Sequence, residues 1–290
     1  MASRKPPTSP ATGVPEIFDA HLLAVRQRRG ERRRARAESF LLRRMIEDLA
    51  ERLGDVTRSF DRALLVAPTG ARAALLGALP DGKVGTLEAR TPDTHLGLGV
   101  EAGTHDLVVA LLGPGLVNDL PGALIEMRRA LRPDGLLVAA WLGGDTLAEL
   151  RRALYGFDQA SRGGLTPRVH PSVSHVEAAA LMGRAGLALP VVDVDRFTVR
   201  YRELGTLVGD LRDLGLTNAL VARDRAYLGK GALAGMAAHY LRDADGRFPA
   251  TFEVLWLTGW SPHESQPKPL KPGSATTRLA DALGTRERKL

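Results

Sequence analysis

Residues 106–112 read DLVVALL, and this stretch decides the fold class. A short, continuous apolar run is typical of a strand that is buried on both faces, as the strands of a parallel sheet are. The next seven residues, GPGLVND, contain two glycines and a proline and end the strand. A helix is predicted immediately afterwards, over residues 120–131, with Arg128 and Arg129 near its carboxyl end, where basic residues are favoured.

The same alternation extends along the chain on both sides of this stretch. Strands are predicted at residues 62–67, 83–88, 96–100, 136–141, 191–201 and 251–260, of which 96–100 has the weakest pattern. Helices are predicted at residues 71–79, 146–160, 176–185, 203–214 and 223–241. Alternating strands and helices favour parallel βαβ units. The sequence therefore predicts an α/β fold with a doubly wound, mostly parallel sheet of seven strands, in which a helical insertion precedes the last strand.

Composition and pattern divide the chain into six segments. They are a disordered, proline-rich lead (1–15), a basic helical segment (16–54), a core (55–200), a helical insertion or lid (201–250), the final strand (251–260) and a proline-rich tail (261–290). Within the second segment, the apolar spacing over residues 17–53 predicts one helix that ends at Gly54. With 290 residues, the chain is long enough to bury a large core.

The net charge of +7 is concentrated near the start of the chain. Residues 1–60 contain 13 Lys and Arg against 8 Asp and Glu, which gives +5 and leaves +2 for the remainder. Because the basicity belongs to one segment, the high isoelectric point does not by itself indicate nucleic-acid binding. Two interpretations of the arginine-rich helix remain open: a solvated helix face, or a docking surface for an acidic protein or an acyl carrier.

The composition also excludes several kinds of chemistry. The chain has no cysteine, so disulfides, thiolate metal sites, iron–sulfur clusters and cysteine nucleophiles are ruled out. The histidines are not spaced as metal ligands, so no metal site is expected. No apolar run approaches the roughly 20 residues needed to span a bilayer. The first twelve residues lack the apolar centre of a secretory signal, so we expect a cytoplasmic protein, and the bias toward Ala, Arg, Gly and Leu indicates a GC-rich bacterial genome.

Candidate binding residues follow the first two predicted strands, because ligands of open parallel sheets bind beyond the carboxyl ends of the strands. The loop at residues 67–72 (APTGAR) has one glycine, Gly70, and Pro68 removes a backbone donor. It is either a cofactor cradle or a plain turn between strand and helix. Glu88 comes 18 residues after Gly70, near the spacing of about 20 at which an acid holds ribose hydroxyls. Its alternative is an exposed residue at the end of a strand.

Two further candidates, Asn118 and Asp119, end the loop after the central strand. Their position would let them face a bound cofactor. Either of them could instead cap the helix that follows, which is the commoner role of these residue types. Asp145, after the next strand, carries the same two alternatives of substrate contact and cap.

Several motifs together resemble a known family. They are residues 117–121 (VNDLP), 131–135 (LRPDG), 143–151 (GGDTLAELR), 163–167 (GGLTP), 210–218 (DLRDLGLTN), 259–266 (GWSPHESQ) and 273–275 (GSA). The chain resembles the family of NADH dehydrogenase (complex I) assembly factor 5 and its alphaproteobacterial relatives. It is more distantly similar to the malonyl-acyl-carrier-protein methyltransferase of biotin synthesis, with which it shares the middle motifs.

This resemblance implies a class I S-adenosylmethionine (AdoMet) methyltransferase fold. It favours an enzyme that binds AdoMet through Gly70, Glu88, Asn118 and Asp119 and acts on a protein, such as a complex I subunit, at the inner membrane during assembly. Its alternatives are a non-catalytic assembly chaperone with a degenerate AdoMet site and an arginine hydroxylase. A methyl transfer would depend on proximity and alignment, and no catalytic base can be named.

The chain departs from the family at the methyl-donor loop. In place of an acidic strand end and a Gly-x-Gly loop, it has residues 65–70 (LVAPTG). It also has Gly115 and Leu116 where relatives carry a His-Trp-type pair. The resemblance therefore predicts weakened or lost AdoMet binding.

Overall fold

The computed structural model describes residues 15–35, 39–92, 97–225 and 231–267. All but the last residue of the predicted lead, and most of the predicted tail, lie outside the described residues. The division into six segments stays a prediction, and the structure gives the bounds of the elements within it.

The described part of the chain forms one six-stranded sheet. Its strands are β1 (Phe60–Val66), β2 (Val84–Arg90), β3 (His105–Leu111), β4 (Leu131–Leu142), β5 (Ala188–Tyr201) and β6 (Phe248–Trp260). Their order is β2-β1-β3-β4-β6-β5. The first four strands are parallel, and β6 runs antiparallel to both β4 and β5. This order, with an antiparallel strand inserted beside the last parallel one, confirms the predicted fold of class I methyltransferase type.

Eight α-helices are described, and they cover both faces of the sheet. They are α1 (Ala20–Arg34), α2 (Phe40–Asp55), α3 (Ala71–Ala78), α4 (Leu120–Ala130), α5 (Ala148–Arg162), α6 (His175–Arg184), α7 (Leu204–Asp213) and α8 (Ala232–Ala238). Buried side chains of α2, α3, α5 and α7 pack on one face, and those of α4 and α6 pack on the other. The sheet is therefore doubly wound, as predicted. The helical insertion before β6 contains α7 and α8.

Several element predictions differ from the structure. Residues 97–100 of the predicted strand 96–100 are not extended, since Gly99 adopts a φ of +59°, so the described sheet has six strands and not seven. The single helix predicted over residues 17–53 is two helices, α1 and α2. Ser39 has an extended backbone, and α2 begins at the next residue. Of the helix predicted over residues 223–241, only α8 is described as helical. The last three strands begin earlier than predicted: β4 at Leu131, β5 at Ala188 and β6 at Phe248, against the predicted 136, 191 and 251.

Among the described residues, no helix is both long enough and apolar enough to cross a membrane.

Candidate functional site

The carboxyl ends of the four parallel strands meet at one edge of the sheet, and two cavities lie there. We call the first the switch-point cleft, because it lies between the ends of the neighbouring strands β1 and β3. From there the chain continues in opposite directions along the sheet, from β1 to β2 and from β3 to β4. It is lined by Pro68, Thr91, Pro92, Leu112, Gly113, Leu116 and Leu214, and by Gln27, Glu31 and Arg34 of α1. The second, which we call the chamber, lies beyond β3 and β4 and shares Leu112 and Leu116 with the cleft.

Helix α1 covers the switch-point cleft. Thr69, in the loop after β1, donates a hydrogen bond from its hydroxyl to a Glu31 carboxylate oxygen at 2.7 Å. The volume left in the cleft is about 10 Å³. This is roughly the space of one water molecule. Small-molecule sites enclose roughly 300–1,000 Å³, so with α1 docked the cleft does not hold a nucleoside.

Close backbone packing against the end of α7 holds α1 in place. A Cβ added to Gly30 would lie 2.6 Å from the carbonyl oxygen of Asp213, and one added to Gly215 would lie 3.0 Å from the Cα of Gln27. Gly215 also adopts a φ of +72°, which favours glycine. Arg33 and Arg34 add an ion pair and a hydrogen bond to the side chain and carbonyl of Asp213.

Of the other arginines of α1, Arg28, Arg29 and Arg32 are exposed and Arg26 is half-buried. Their interpretation as a docking surface stays a prediction.

Asn118 is engaged with the segment that precedes α1. Its side-chain oxygen accepts hydrogen bonds from the backbone N–H groups of Ile17 at 2.9 Å and Phe18 at 2.8 Å, and its amide donates to the carbonyl of Phe18 at 3.1 Å. Phe18 also forms a bridge with Leu220. The Asn118 amide thus pairs with backbone as a strand would, and it anchors the chain just before α1.

Glu88 lies away from the cleft. The register of the sheet pairs Leu64 with Glu88 and Val66 with Arg90, so Arg90 stands at the end of β2 and Glu88 is two residues, or about 7 Å, before it. The Glu88 carboxylate pairs with Arg90 and lies 3.5 Å from Nε2 of His105, the first residue of β3. The basic residue at the strand end does not suit a ribose diol, which needs an acceptor.

Gly70 and Asp119 both adopt the local roles that were open alternatives in the sequence. Gly70 precedes α3 with a φ of +95°, and a Cβ at that position would meet nothing within 4 Å. Asp119 caps α4 by accepting a hydrogen bond from the N–H of Gly122 at 2.9 Å. The structure does not bring Gly70, Glu88, Asn118 and Asp119 together around one space, and their binding of a cofactor stays a prediction.

The residues of the cleft do not fit AdoMet in this conformation. Glu31 occupies the hydroxyl of Thr69, the Asn118 amide is used by backbone, and Pro68 offers no N–H. The described residues also hold no cluster of three or more His, Asp or Glu side chains that could bind a metal ion.

The chamber is far larger than the cleft, with a volume of about 210 Å³. It is lined by Leu112, Gly115, Leu116, Leu142, Gly143, Thr146, Leu147, Leu150, Leu154, Arg168, Val169, His170, Pro171, Ser172, Leu204, Val208, Leu211, Leu216, Thr217, Asn218 and Met236. Leu112 and Leu147 adopt φ values of +63° and +57° although both side chains are buried. Such strain costs about 1–3 kcal/mol per residue and concentrates at functional sites.

The charge of Arg168, the charged residue of the chamber lining, is neutralised by a carboxylate that does not line the chamber. Its guanidinium forms two hydrogen bonds to the carboxylate of Asp158 in α5, at 2.8 and 2.6 Å. The Asp158 side chain is fully buried and the Arg168 side chain is 10% exposed. This pair ties the loop at residues 168–172 to α5 and so shapes one wall of the chamber.

His170 lies in the same wall as a neutral base. Its Nε2 accepts a hydrogen bond from the N–H of Ala219 at 3.1 Å, and its ring meets the edge of Phe18 at a centroid distance of 5.2 Å. Burial, assisted by the nearby charge of Arg26, lowers the pKa of His170 from 6.5 to about 4.

We expect the stability of the protein to fall as the pH is lowered from 6.5 to 4. In that window the unfolded chain binds a proton at His170 that the folded chain does not, so protonation favours unfolding by at most on the order of 3 kcal/mol. Urea unfolding at several pH values measures the loss. The variant His170→Gln should lose this part of the pH dependence, and an unchanged slope in that variant would contradict the assignment.

Sequence reasoning missed three parts of this site. They are the Asp158–Arg168 pair, the contact of Glu31 with Thr69, and the glycine packing at Gly30. Motif 210–218 (DLRDLGLTN) carried one usable signal, since it contains the glycine that packs against α1.

The strand order and the helices on both faces define a protein with the class I methyltransferase fold. Comparison with known proteins identifies relatives of the chain. The chain is 38% identical to the mitochondrial arginine-hydroxylase NDUFAF5 of Danio rerio over 181 residues, 61% of this chain and 56% of that protein. It is 35% identical to the Dictyostelium discoideum protein of the same name over 191 residues, 64% of this chain and 44% of that protein.

A second group of relatives has a different activity in its name. The malonyl-[acyl-carrier protein] O-methyltransferase of Laribacter hongkongensis is 36% identical over 202 residues, 68% of this chain and 66% of that protein. The YcgJ protein of Bacillus subtilis is a structural neighbour with a TM-score of 0.48 and 10% identity over 76% of this chain and 99% of that one. No family model matches the chain.

These findings confirm the resemblance seen in the sequence: the chain is similar both to the arginine hydroxylases and to the malonyl methyltransferases. It spans about half the length of the arginine hydroxylases that it matches.

Proposed function

We propose that this chain is a methyltransferase-like protein that acts on a protein client in the assembly of respiratory complex I. In the closed form, in which α1 is docked over the switch-point cleft, the chain acts by binding its client and does not use AdoMet. Docking of α1 carries this proposal, because it reduces the switch-point cleft to about 10 Å³ while the chamber keeps about 210 Å³. The similarity to NDUFAF5 and the motifs that it shares with that family support the link to complex I. The protein would work in the bacterial cytoplasm, beside the inner membrane.

A calorimetric titration with AdoMet tests the proposal. We expect no binding to the wild-type chain at millimolar AdoMet, and the same result for Glu88→Ala, whose side chain lies outside the cleft. Binding near micromolar would contradict the closed-form proposal. If the tight binding were lost in Glu88→Ala, the ribose role predicted for this residue would be supported as well.

A deletion strain tests the biological part. We expect loss of assembled complex I on a native gel and full rescue by the Glu88→Ala gene. Unchanged complex I in the deletion strain would overturn the assembly role, whatever the titration shows.

An AdoMet-dependent transferase that opens by release of α1 is the second candidate. One observation favours it: the chamber and the cleft share Leu112 and Leu116, so a donor in the cleft would lie next to an acceptor in the chamber. In that case the chain would supply alignment of the two groups and no covalent intermediate. Mass spectrometry of the client would then show a gain of one methylene, whereas arginine hydroxylation would add one oxygen.

A further inference from the structure

The chamber differs from a site for a charged substrate in the chemistry of its wall. Leucines supply nine of its 21 lining residues, together with two valines and one methionine. None of the lining residues is an aspartate or a glutamate. A cationic group that entered the chamber would therefore lose its hydration without gaining a counter-charge, which is strongly unfavourable.

Most polar side chains of the wall are already paired within the protein. The Thr146 hydroxyl donates to the carbonyl of Glu253 and accepts from its N–H, at 3.0 and 3.1 Å. The Asn218 amide donates to the carbonyl of Pro167 at 2.9 Å, and its oxygen accepts from the N–H of Leu220 at 3.0 Å. None of the chamber residues is among the buried side chains of the described chain that have an unpaired polar atom. The wall therefore offers few polar groups to a ligand, chiefly the hydroxyls of Thr217 and of Ser172, whose bond to the carbonyl of Val173 is 3.5 Å long.

The two ionisable groups of the wall do not change this. The charge of Arg168 is matched by the two hydrogen bonds to Asp158, and His170 is neutral because burial lowers its pKa to about 4. An anion would therefore find no uncompensated positive charge in the chamber.

We infer that the chamber binds an uncharged aliphatic group and discriminates against guanidinium and carboxylate groups. Its volume supports this assignment, because a dry apolar cavity of roughly 150 Å³ holds benzene, so a chamber of about 210 Å³ has room for about six to eight carbons. The inference goes beyond the assembly role and does not depend on the position of α1. It predicts that an arginine side chain is not the group that this chamber accepts.

The test compares 1-hexanol, propylguanidinium and pentanoate, which have the same number of non-hydrogen atoms and differ in charge. Ligand-observed NMR titration of the full chain is expected to show saturable binding of 1-hexanol. Binding of both ions is expected to be weaker by about tenfold or more. Equal binding of propylguanidinium, or no binding of 1-hexanol up to its solubility, would overturn the inference.

Two variants on the same helix locate the binding. Met236 lines the chamber from α8, whereas Leu233, three residues earlier, is 41% exposed and does not line it. Met236→Trp is expected to fill the chamber and to abolish hexanol binding, while Leu233→Trp keeps it. Retained binding in Met236→Trp would overturn the assignment to the chamber.

A charge variant keeps the inference testable if Met236→Trp does not fold. Val208, on α7, is a half-buried lining residue. Val208→Asp places a carboxylate in the wall and is expected to reverse the preference, so that propylguanidinium binds more tightly than 1-hexanol. An unchanged order of affinities in a folded Val208→Asp protein would overturn the inference. Because these titrations contain no AdoMet and no client, their failure is distinct from a failure of the assembly role.

Discussion

Replacing Asp158 with alanine is expected to lower the free energy of unfolding by about 3–5 kcal/mol. The change leaves the guanidinium of Arg168, whose side chain is 10% exposed, without the two hydrogen bonds that satisfy its charge. An unpaired charge held in an apolar wall costs far more than the loss of a hydrogen bond at the surface. Urea or guanidinium unfolding measures the difference, and the same variant is expected to lose hexanol binding because the loop at residues 168–172 is no longer tied to α5.

Two further variants separate the effect of charge burial from the loss of any ion pair. Glu126 and Arg129 form a surface pair whose side chains are 45% and 59% exposed. Glu126→Ala is expected to change the stability by less than about 1 kcal/mol. The double variant Asp158→Leu/Arg168→Met is expected to recover most of the stability, since apolar pairs of similar volume often replace buried ion pairs. An Asp158→Ala protein no less stable than Glu126→Ala would contradict the explanation.

The parts of the fold that were predictable from sequence are those set by local pattern. The strand predicted at residues 106–112 (DLVVALL) nearly matches β3, because a short continuous apolar run between turn residues is typical of a buried strand. The capping role of Asp119 is equally local, as its carboxylate reaches an N–H three residues ahead. The doubly wound, mostly parallel sheet followed from the alternation of strands and helices together with the resemblance.

The missing parts depend on contacts between distant segments. Gly30 packs against Asp213, and Glu31 meets Thr69; neither pair is marked by any spacing in the sequence. The place of Glu88 relative to the sheet edge could not be read from the sequence for a finer reason. A shift of two residues along a parallel strand decides whether an acid or Arg90 stands at the sheet edge, and only the register with β1 fixes that shift.

This dependence makes Gly30 the sharpest test of whether α1 controls the cleft. Gly30→Leu is expected to release α1 from α7, because a Cβ at this position would lie 2.6 Å from one backbone oxygen and 3.0 Å from another, neither of which can move as a side chain can. The intrinsic preference of α1 for helix rises with this change by roughly 0.5–1 kcal/mol, so loss of docking is not a consequence of weaker helix formation. Overpacking of this kind costs about 3 kcal/mol. Limited proteolysis is expected to cut within α1 at least tenfold faster than in the wild type, while the domain stays folded.

Gly77→Leu provides the matched control. Gly77 is also helical, in α3, and a Cβ there would meet nothing within 4 Å. Its proteolysis is expected to match that of the wild type. Resistance of Gly30→Leu to cleavage in α1 would contradict the packing that holds this helix over the strand ends.

Once α1 is released, the AdoMet titration separates the two candidate functions. Binding by Gly30→Leu alone would mean that the helix gates a working donor site. Absence of binding even then would mean that a site with Pro68, Thr69 and Arg90 at the strand ends does not bind AdoMet. The chain would then have a methyltransferase fold but act only by holding its client.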